Sequence, residues 1–158
     1  MTRWLTDEEQ RAWRRYLDMN AKLTARLHRR LQTDSGLSLA DFDVLVQLTD
    51  RAVPRMRVGE LAEALQWERS RLSHHLARMQ KRGLVSRQDC PEDARGAFVL
   101  LTDKGRHAIE QAAPAHVEAV RDLVFDHLSK AEVATLAGIS ERVLGRLNRS
   151  DGEESTPG

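Results

Sequence analysis

The sequence has little of several residue types that mark particular protein classes. Among its 158 residues there are one cysteine, Cys90, and four prolines, and aromatic residues make up 4%. One cysteine excludes an internal disulfide framework and every zinc site that needs two cysteines, and it is typical of a reducing compartment. No apolar run approaches the roughly 20 residues of a membrane span. The polar start of the chain lacks the apolar stretch of a signal peptide. We therefore expect a cytoplasmic protein without a membrane partner.

Sequence patterns of catalytic and metal sites are also missing. The chain has no glycine-rich phosphate loop, no nucleophile elbow and no His-Glu-x-x-His motif. No two of its six histidines have the four-residue spacing of a zinc clamp on a helix. The sequence therefore predicts a protein that is not an enzyme and that needs neither cofactor nor metal.

The net charge of +1 conceals one strongly basic stretch. Residues 67–88 contain six basic side chains and one acidic side chain, whereas the rest of the chain is close to neutral or slightly acidic. A local surplus of this size indicates a localised anionic partner, such as a nucleic acid.

Capping signals and apolar spacing divide the chain into elements. Thr6 and Glu9 have the spacing of a capping box, and apolar residues then recur at steps of three and four, which predicts a helix that ends near Gly36. The elements predicted after it, in chain order, are a helix capped at Ser38, helices over 58–66 and 67–82, strands over 84–88 and 97–101, a helix from Asp103, and a last helix after Ser129.

This order predicts a mainly α fold with a small β-hairpin wing, namely a winged helix-turn-helix with long N- and C-terminal dimerisation helices. We expect a single domain over residues 1–149. The DNA-binding lobe occupies about 37–102, and the dimerisation region comprises 5–34 and 103–149, because these long helices have more apolar face than one small domain can cover. Residues 150–158 are expected to be a disordered polar tail.

Several segments in the middle of the chain together resemble the MarR family of bacterial transcription regulators. They are, in order, Val58–Ala62, Leu72–Met79, Lys81–Val85, Asp93–Arg95, Val99–Thr102 and Gly105. The resemblance implies a homodimer that binds double-stranded DNA. It also implies a pocket for small aromatic or phenolic compounds between the dimer helices and the winged helix, with ligand binding lowering the affinity for DNA.

In a helix-turn-helix the second helix enters the major groove. If Leu72, Leu76 and Met79 are buried, the other side of that helix is basic. The predicted DNA-binding residues on it are Arg69, Ser70, Arg71, Ser73, His74, His75 and Arg78. Arginine can contact guanine or phosphate. We expect Arg71 to read a base, and for Arg78 both a base contact and a phosphate contact stay open.

The wing adds further predicted DNA contacts. Arg87 on the first wing strand is expected to contact phosphate, and Arg95 at the wing tip is expected to enter the minor groove, where the negative potential attracts a guanidinium group. The family resemblance implies that Asp93 orients Arg95.

One face of the first helix carries Trp13, Tyr16 and Asn20, which makes them candidate ligand-binding residues. Aromatic residues at helical spacing more often form a dimer core, and both interpretations stay open. The predicted function is a ligand-responsive repressor that acts as a homodimer on a pseudo-palindromic operator. Two alternatives remain: a redox-responsive regulator that uses Cys90, and a winged-helix module that binds proteins without binding DNA.

Overall fold

The computed structural model describes residues 1–89 and 97–153, with side-chain surroundings up to residue 149. The chain divides into two compact units, Met1–Ala119 and Val120–Gly158. The described part is mostly helical and contains one small antiparallel sheet, which confirms the predicted fold class.

The first helix, α1, runs over Asp7–Ser35. The Thr6 hydroxyl accepts from the Glu9 amide at 3.2 Å, and the Thr6 amide donates to the Glu9 carboxylate at 2.8 Å. Gly36 ends the helix in the left-handed region, with φ of 71°, a conformation that costs glycine little. Both ends therefore lie where the capping signals predict them.

Three shorter helices follow in the first unit. They are α2 over Leu39–Thr49, α3 over Val58–Leu65 and α4 over Arg69–Lys81. Ser38 and Asp41 form a second capping box at the start of α2. The helix predicted over 67–82 is thus shorter by two residues at its N-terminus and by one at its C-terminus.

The sheet has three strands, β1 over Arg55–Arg57, β2 over Val85–Gln88 and β3 over Phe98–Leu101. Their order is β1-β3-β2, so β3 lies in the centre and pairs antiparallel with both neighbours. The two predicted wing strands are present and pair antiparallel, whereas β1 was not predicted. Three residues are too few to show an alternating pattern, and this strand depends on pairing with a distant one.

The core of the first unit lies between these helices and the inner face of the sheet. Its fully buried side chains include Leu45, Leu48, Leu61, Leu72, Leu76, Met79 and Val99. Three of them come from α4, and this burial leaves the opposite side of α4 free to face a partner.

A close contact joins the sheet to α5, which runs over Asp103–Leu123 and continues through Pro114. The Thr102 hydroxyl donates to the carbonyl of Gly83 at 2.6 Å and accepts from the Gly105 amide at 2.9 Å. A Cβ atom on Gly105 would lie 2.0 Å from the Leu84 carbonyl oxygen. The start of α5 can approach β2 this closely because residue 105 has no side chain.

The second unit contains the end of α5, a 3₁₀ turn over Phe125–His127 and the helix α6 over Lys130–Glu153. Ser129 and Glu132 form the third capping box. The polar tail predicted from residue 150 is wrong for its first residues, because the backbone of α6 remains helical to Glu153. Extending an existing helix through polar residues is much easier than starting one.

No described helix is both long and apolar enough to cross a membrane.

Candidate nucleic-acid interface

The helix α4 presents a basic side to the surroundings. Leu72, Leu76 and Met79 are fully buried, as the spacing predicted. The side chains on the other side are exposed at Arg69, Ser70, Arg71, His74 and Arg78, and Ser73 is half-buried. The structure therefore brings six of the seven predicted α4 residues to one accessible side.

The turn between α3 and α4 sets the direction in which α4 starts. Gln66 ends α3 with φ of 55°, and the amide of Trp67 donates to the carbonyl of Ala62 at 2.9 Å. The Arg69 guanidinium packs over the first turn of α3, where a Cβ atom on Gly59 would come within 2.7 Å of it. A glycine at position 59 thus permits this close packing of Arg69 against α3.

Trp67, in the same turn, supports one of the exposed arginines. The guanidinium carbon of Arg71 lies 4.3 Å from the centroid of the Trp67 ring. This is a cation–π contact, in which the negative face of the ring attracts the guanidinium group. The sequence signal for this contact is the spacing of four positions between Trp67 and Arg71, which places both side chains on one side of a helical turn.

His75 does not belong to the exposed side, which corrects the sequence prediction for this residue. It is 8% exposed, and its Nε2 atom lies 2.9 Å from Oδ1 of Asp41. Its Nδ1 atom is 3.2 Å from the Arg78 guanidinium, and its ring meets Trp67 edge-to-face at 5.6 Å between centroids. The spacing on α4 could not reveal this placement, because the carboxylate that holds His75 comes from α2.

Asp41 is a buried carboxylate with several donors. Arg82 donates to Oδ2 at 2.6 Å, and the Ser38 amide donates to the same oxygen at 2.9 Å. Burial of the Asp41 carboxyl raises its pKa, but the contact with His75 and the hydrogen bonds from Arg82 and Ser38 outweigh burial and hold the pKa well below its ordinary value of 3.8. Asp41 therefore stays ionised and connects α2 to α4.

Arg87 on β2 is half-buried and lies opposite Val99 of β3. The strand β1 pairs with the other side of β3 and carries Arg55 and Arg57. Their guanidinium carbons lie over the Phe98 ring, at 4.7 and 4.8 Å from its centroid. Asp93 and Arg95, predicted for the wing tip, and Cys90 lie outside the described residues.

The predicted ligand residues lie on α1. The rings of Trp13 and Tyr16 stack at 5.6 Å between centroids, both are about half exposed, and Asn20 is exposed. An open cavity of about 410 Å³ lies beside β1, and its walls include Arg51, Arg55 and Phe98. Trp13, Tyr16 and Asn20 are not among the residues that line this cavity. Within residues 1–89 and 97–149, no three histidine, cysteine, aspartate or glutamate side chains cluster as metal ligands would.

Comparison with known proteins identifies the family. Residues 35–96, which include α2, α3, α4 and β2, match the MarR family profile. The structure is similar to that of AbsC, a MarR family transcriptional regulator from Streptomyces coelicolor, with a TM-score of 0.85 and 39% sequence identity over 93% of this chain and 99% of AbsC. The chain belongs to the MarR family. It is a MarR-family transcriptional regulator.

Two further relatives support this assignment. Sco3205, a MarR family transcriptional regulator from Streptomyces coelicolor whose crystal structure is in complex with DNA, is 43% identical over 91% of this chain and 90% of Sco3205, with a TM-score of 0.85. PecS from Dickeya dadantii, an HTH-type transcriptional regulator, is 31% identical over 68% of this chain and 67% of PecS. The family that the sequence motifs resemble is thus confirmed.

We predict that Asp41→Asn destabilises this MarR-family protein by about 2 kcal/mol at pH 7, because a neutral amide replaces a carboxylate that accepts charge-assisted hydrogen bonds. The pKa of Asp41 is lowered on folding, so its contribution is complete above about pH 4 and is lost as the pH falls further. The difference between wild type and variant should shrink by about 1.4 kcal/mol per pH unit below that value.

Urea unfolding of both proteins between pH 7 and pH 3, at one protein concentration, measures this difference. Asp50→Asn is the matched control, since it removes an exposed carboxyl at the other end of α2. A difference that stays constant across the pH range would show that the ionised form of Asp41 does not stabilise the fold.

Proposed function

We propose that this protein is a sequence-specific DNA-binding repressor that acts as a homodimer on a pseudo-palindromic operator and that places α4 in the major groove. The observation that carries the proposal is the exposed side of α4, where Arg69, Arg71 and Arg78 surround the hydroxyl and imidazole groups of Ser70 and His74. Guanidinium and hydroxyl groups at the start of a recognition helix can contact both base edges and phosphates.

The distribution of charge supports DNA over a protein partner. Glu68 is the one acidic residue among the seven charged residues at positions 67–88, and a surface that docks neutral proteins does not need such an excess of positive charge. That Sco3205 was crystallised with DNA supports the same partner for this chain. A protein-docking module is the competing function, and it predicts no preference for any DNA sequence.

The wing completes the proposed interface. Arg87 is proposed to contact a phosphate, and Arg95, oriented by Asp93, to enter the minor groove beside the site read by α4. The alternative of redox control depends on Cys90, which lies outside the described residues. Since the relatives are transcriptional regulators, we propose no enzymatic activity, and a cytoplasmic location follows from the proposed operator binding.

We predict that Arg71→Ala and Arg87→Ala weaken DNA binding in different ways. If Arg71 reads a base, its loss costs about 1–3 kcal/mol on the operator and much less on random DNA. If Arg87 contacts phosphate, its loss weakens both complexes alike and reduces the salt dependence by about one unit of slope.

The operator for these measurements is the duplex that wild-type protein enriches from a random-sequence pool. Fluorescence anisotropy at several salt concentrations gives the affinity for this duplex and for a random duplex of the same length. Failure to enrich any sequence would refute sequence-specific binding, and equal losses on both duplexes would remove Arg71 from base reading.

The proposed dimer is supported by apolar side chains that are uncovered in the single chain. On α6 they follow helical steps of three and four, at Leu136, Ile139, Val143 and Leu147, and each is between 41% and 55% exposed. On α1 the aromatic pair Trp13 and Tyr16 is about half exposed. Apolar stripes of this kind are typical of helices that pack against a partner.

We predict that Val143→Glu converts the dimer into a monomer, because burying an unpaired carboxylate in an apolar interface is strongly unfavourable. Ala134→Glu is the matched control, since Ala134 is exposed and lies on the side of α6 opposite to Val143. Light scattering should report about twice the 17.9 kDa chain mass for wild type and the control, and one chain mass for Val143→Glu. A monomeric wild type would refute the dimer.

We also propose that a small aromatic or phenolic compound relieves repression by binding near Trp13, Tyr16 and Asn20. The stacked rings of Trp13 and Tyr16 beside an exposed amide support this class of ligand.

A tenfold loss of operator affinity requires the ligand to prefer the DNA-free state by about 1.4 kcal/mol, and the operator must then weaken ligand binding tenfold. Titrating salicylate into the protein–operator complex, with Asn20→Ala as a comparison, tests this. If neither salicylate nor related aromatic acids weaken the complex, the first-helix aromatics belong to the dimer core.

A further inference from the structure

We propose that Trp67 and His75 are positioning residues that hold the guanidinium groups of Arg71 and Arg78 in place for DNA recognition. Trp67 and His75 do not have to contact DNA for this role. We call these two rings and the Asp41 carboxylate that holds His75 the ring bracket. The proposal deepens the proposed function and rests on it, since it concerns how α4 achieves specificity.

The first half of the ring bracket is the contact between Trp67 and Arg71. Trp67 is half-buried in the turn before α4, so its ring is fixed by the fold, whereas Arg71 is exposed. The guanidinium carbon lies 4.3 Å from the ring centroid, within the range of a cation–π interaction. An otherwise mobile arginine side chain is therefore attached to an immobile ring.

The second half is the contact between His75 and Arg78. An arginine side chain can donate hydrogen bonds but cannot accept them. The contact of 3.2 Å between the Arg78 guanidinium and Nδ1 therefore requires a lone pair on Nδ1. The ring proton then lies on Nε2, which is 2.9 Å from Oδ1 of Asp41. In this neutral form Nδ1 accepts from Arg78, and the Nε2–H group lies against the Asp41 carboxylate without the geometry of a hydrogen bond.

The two halves are in contact with each other. The rings of Trp67 and His75 meet edge-to-face, with an interplanar angle of 87° and 5.6 Å between centroids. Asp41 is held in turn by Arg82 and by the Ser38 amide. Two exposed arginines thus rest on one rigid set of groups that extends into the core between α2 and α4.

The physical advantage is a smaller loss of conformational freedom on binding. A free arginine side chain loses much of its rotational freedom when it is fixed against a base or phosphate. A guanidinium that is already held in one position has lost part of this freedom before DNA arrives, so less binding energy is spent on ordering it. The ring bracket should therefore affect DNA affinity through the arginines that it holds.

This dependence makes a double-mutant cycle the decisive experiment. Trp67→Leu should weaken binding to the selected operator about two- to fivefold in the wild-type background, the range expected for an exposed cation–π contact. It should have almost no effect in the Arg71→Ala background. His75→Gln keeps a donor that can face Asp41 but removes the ring nitrogen that accepts from Arg78. It should weaken binding about three- to tenfold in wild type and little in Arg78→Ala.

Matched controls separate positioning from a general loss of structure. Trp4→Leu and His107→Gln make the same chemical changes at exposed positions outside the proposed interface, and they should leave binding unchanged. Trp67→Phe keeps an aromatic face and should retain most of the affinity. Thermal unfolding of each variant identifies any that does not fold, and Trp67→Met replaces Trp67→Leu in that case.

The outcomes distinguish the two proposals. If wild type enriches no operator from the random pool, the proposed function fails and the ring bracket has no role in recognition. If Arg71→Ala loses operator affinity but Trp67→Leu has the same effect in both backgrounds, the proposed function stands and the ring bracket is overturned. The absence of any loss on Trp67→Leu or His75→Gln in the wild-type background would also overturn it.

Discussion

The buried carboxylate of Asp41 connects the parts of the DNA-binding lobe. Its side chain is 3% exposed, and an ionised carboxylate in such a position is tolerated because it accepts hydrogen bonds from several donors. These donors are the Ser38 amide at the start of α2 and Arg82 beside α4, and Nε2 of His75 on α4 lies 2.9 Å from the same carboxylate. Arg82 also donates to the carbonyl of Gly36, between α1 and α2. This charged group therefore adds to the apolar packing of Leu72, Leu76 and Met79 in fixing the position of α4.

A second constraint fixes the wing relative to α5 within the first unit. Thr102 binds the carbonyls of Gly83 and Leu84 and caps α5 through the Gly105 amide. Since Gly83 lies two residues after the end of α4, the end of α4, the first wing strand and the start of α5 meet at one threonine. The proposed recognition helix and the base of the wing are thus held in one arrangement by hydrogen bonds rather than by apolar packing alone.

The exposed side of α4 combines two kinds of arginine environment. Arg69 packs over Gly59 in the first turn of α3, and Arg71 lies on Trp67 in the turn that joins α3 to α4. Arg78, one turn further along the helix, is held through His75. Recognition of DNA by this chain, as proposed, would use side chains whose positions are set by the residues beneath them. His75, which the sequence predicted to contact DNA, is instead one of these supporting residues.

The amino-acid sequence by itself determined the features that depend on residues within four positions of each other. The capping boxes at Thr6, Ser38 and Ser129, and the burial of Leu72, Leu76 and Met79, are of this kind. Short spacing fixes them because each is completed within one or two helical turns.

Only the tertiary structure decided the contacts between distant residues. Arg82 reaches Asp41 across 41 positions, and β1 pairs with β3, which is distant in sequence. His75 lies inward against a carboxylate on another helix. No local pattern reports such contacts, because they form only when separate elements pack together and a buried charge must find its partners.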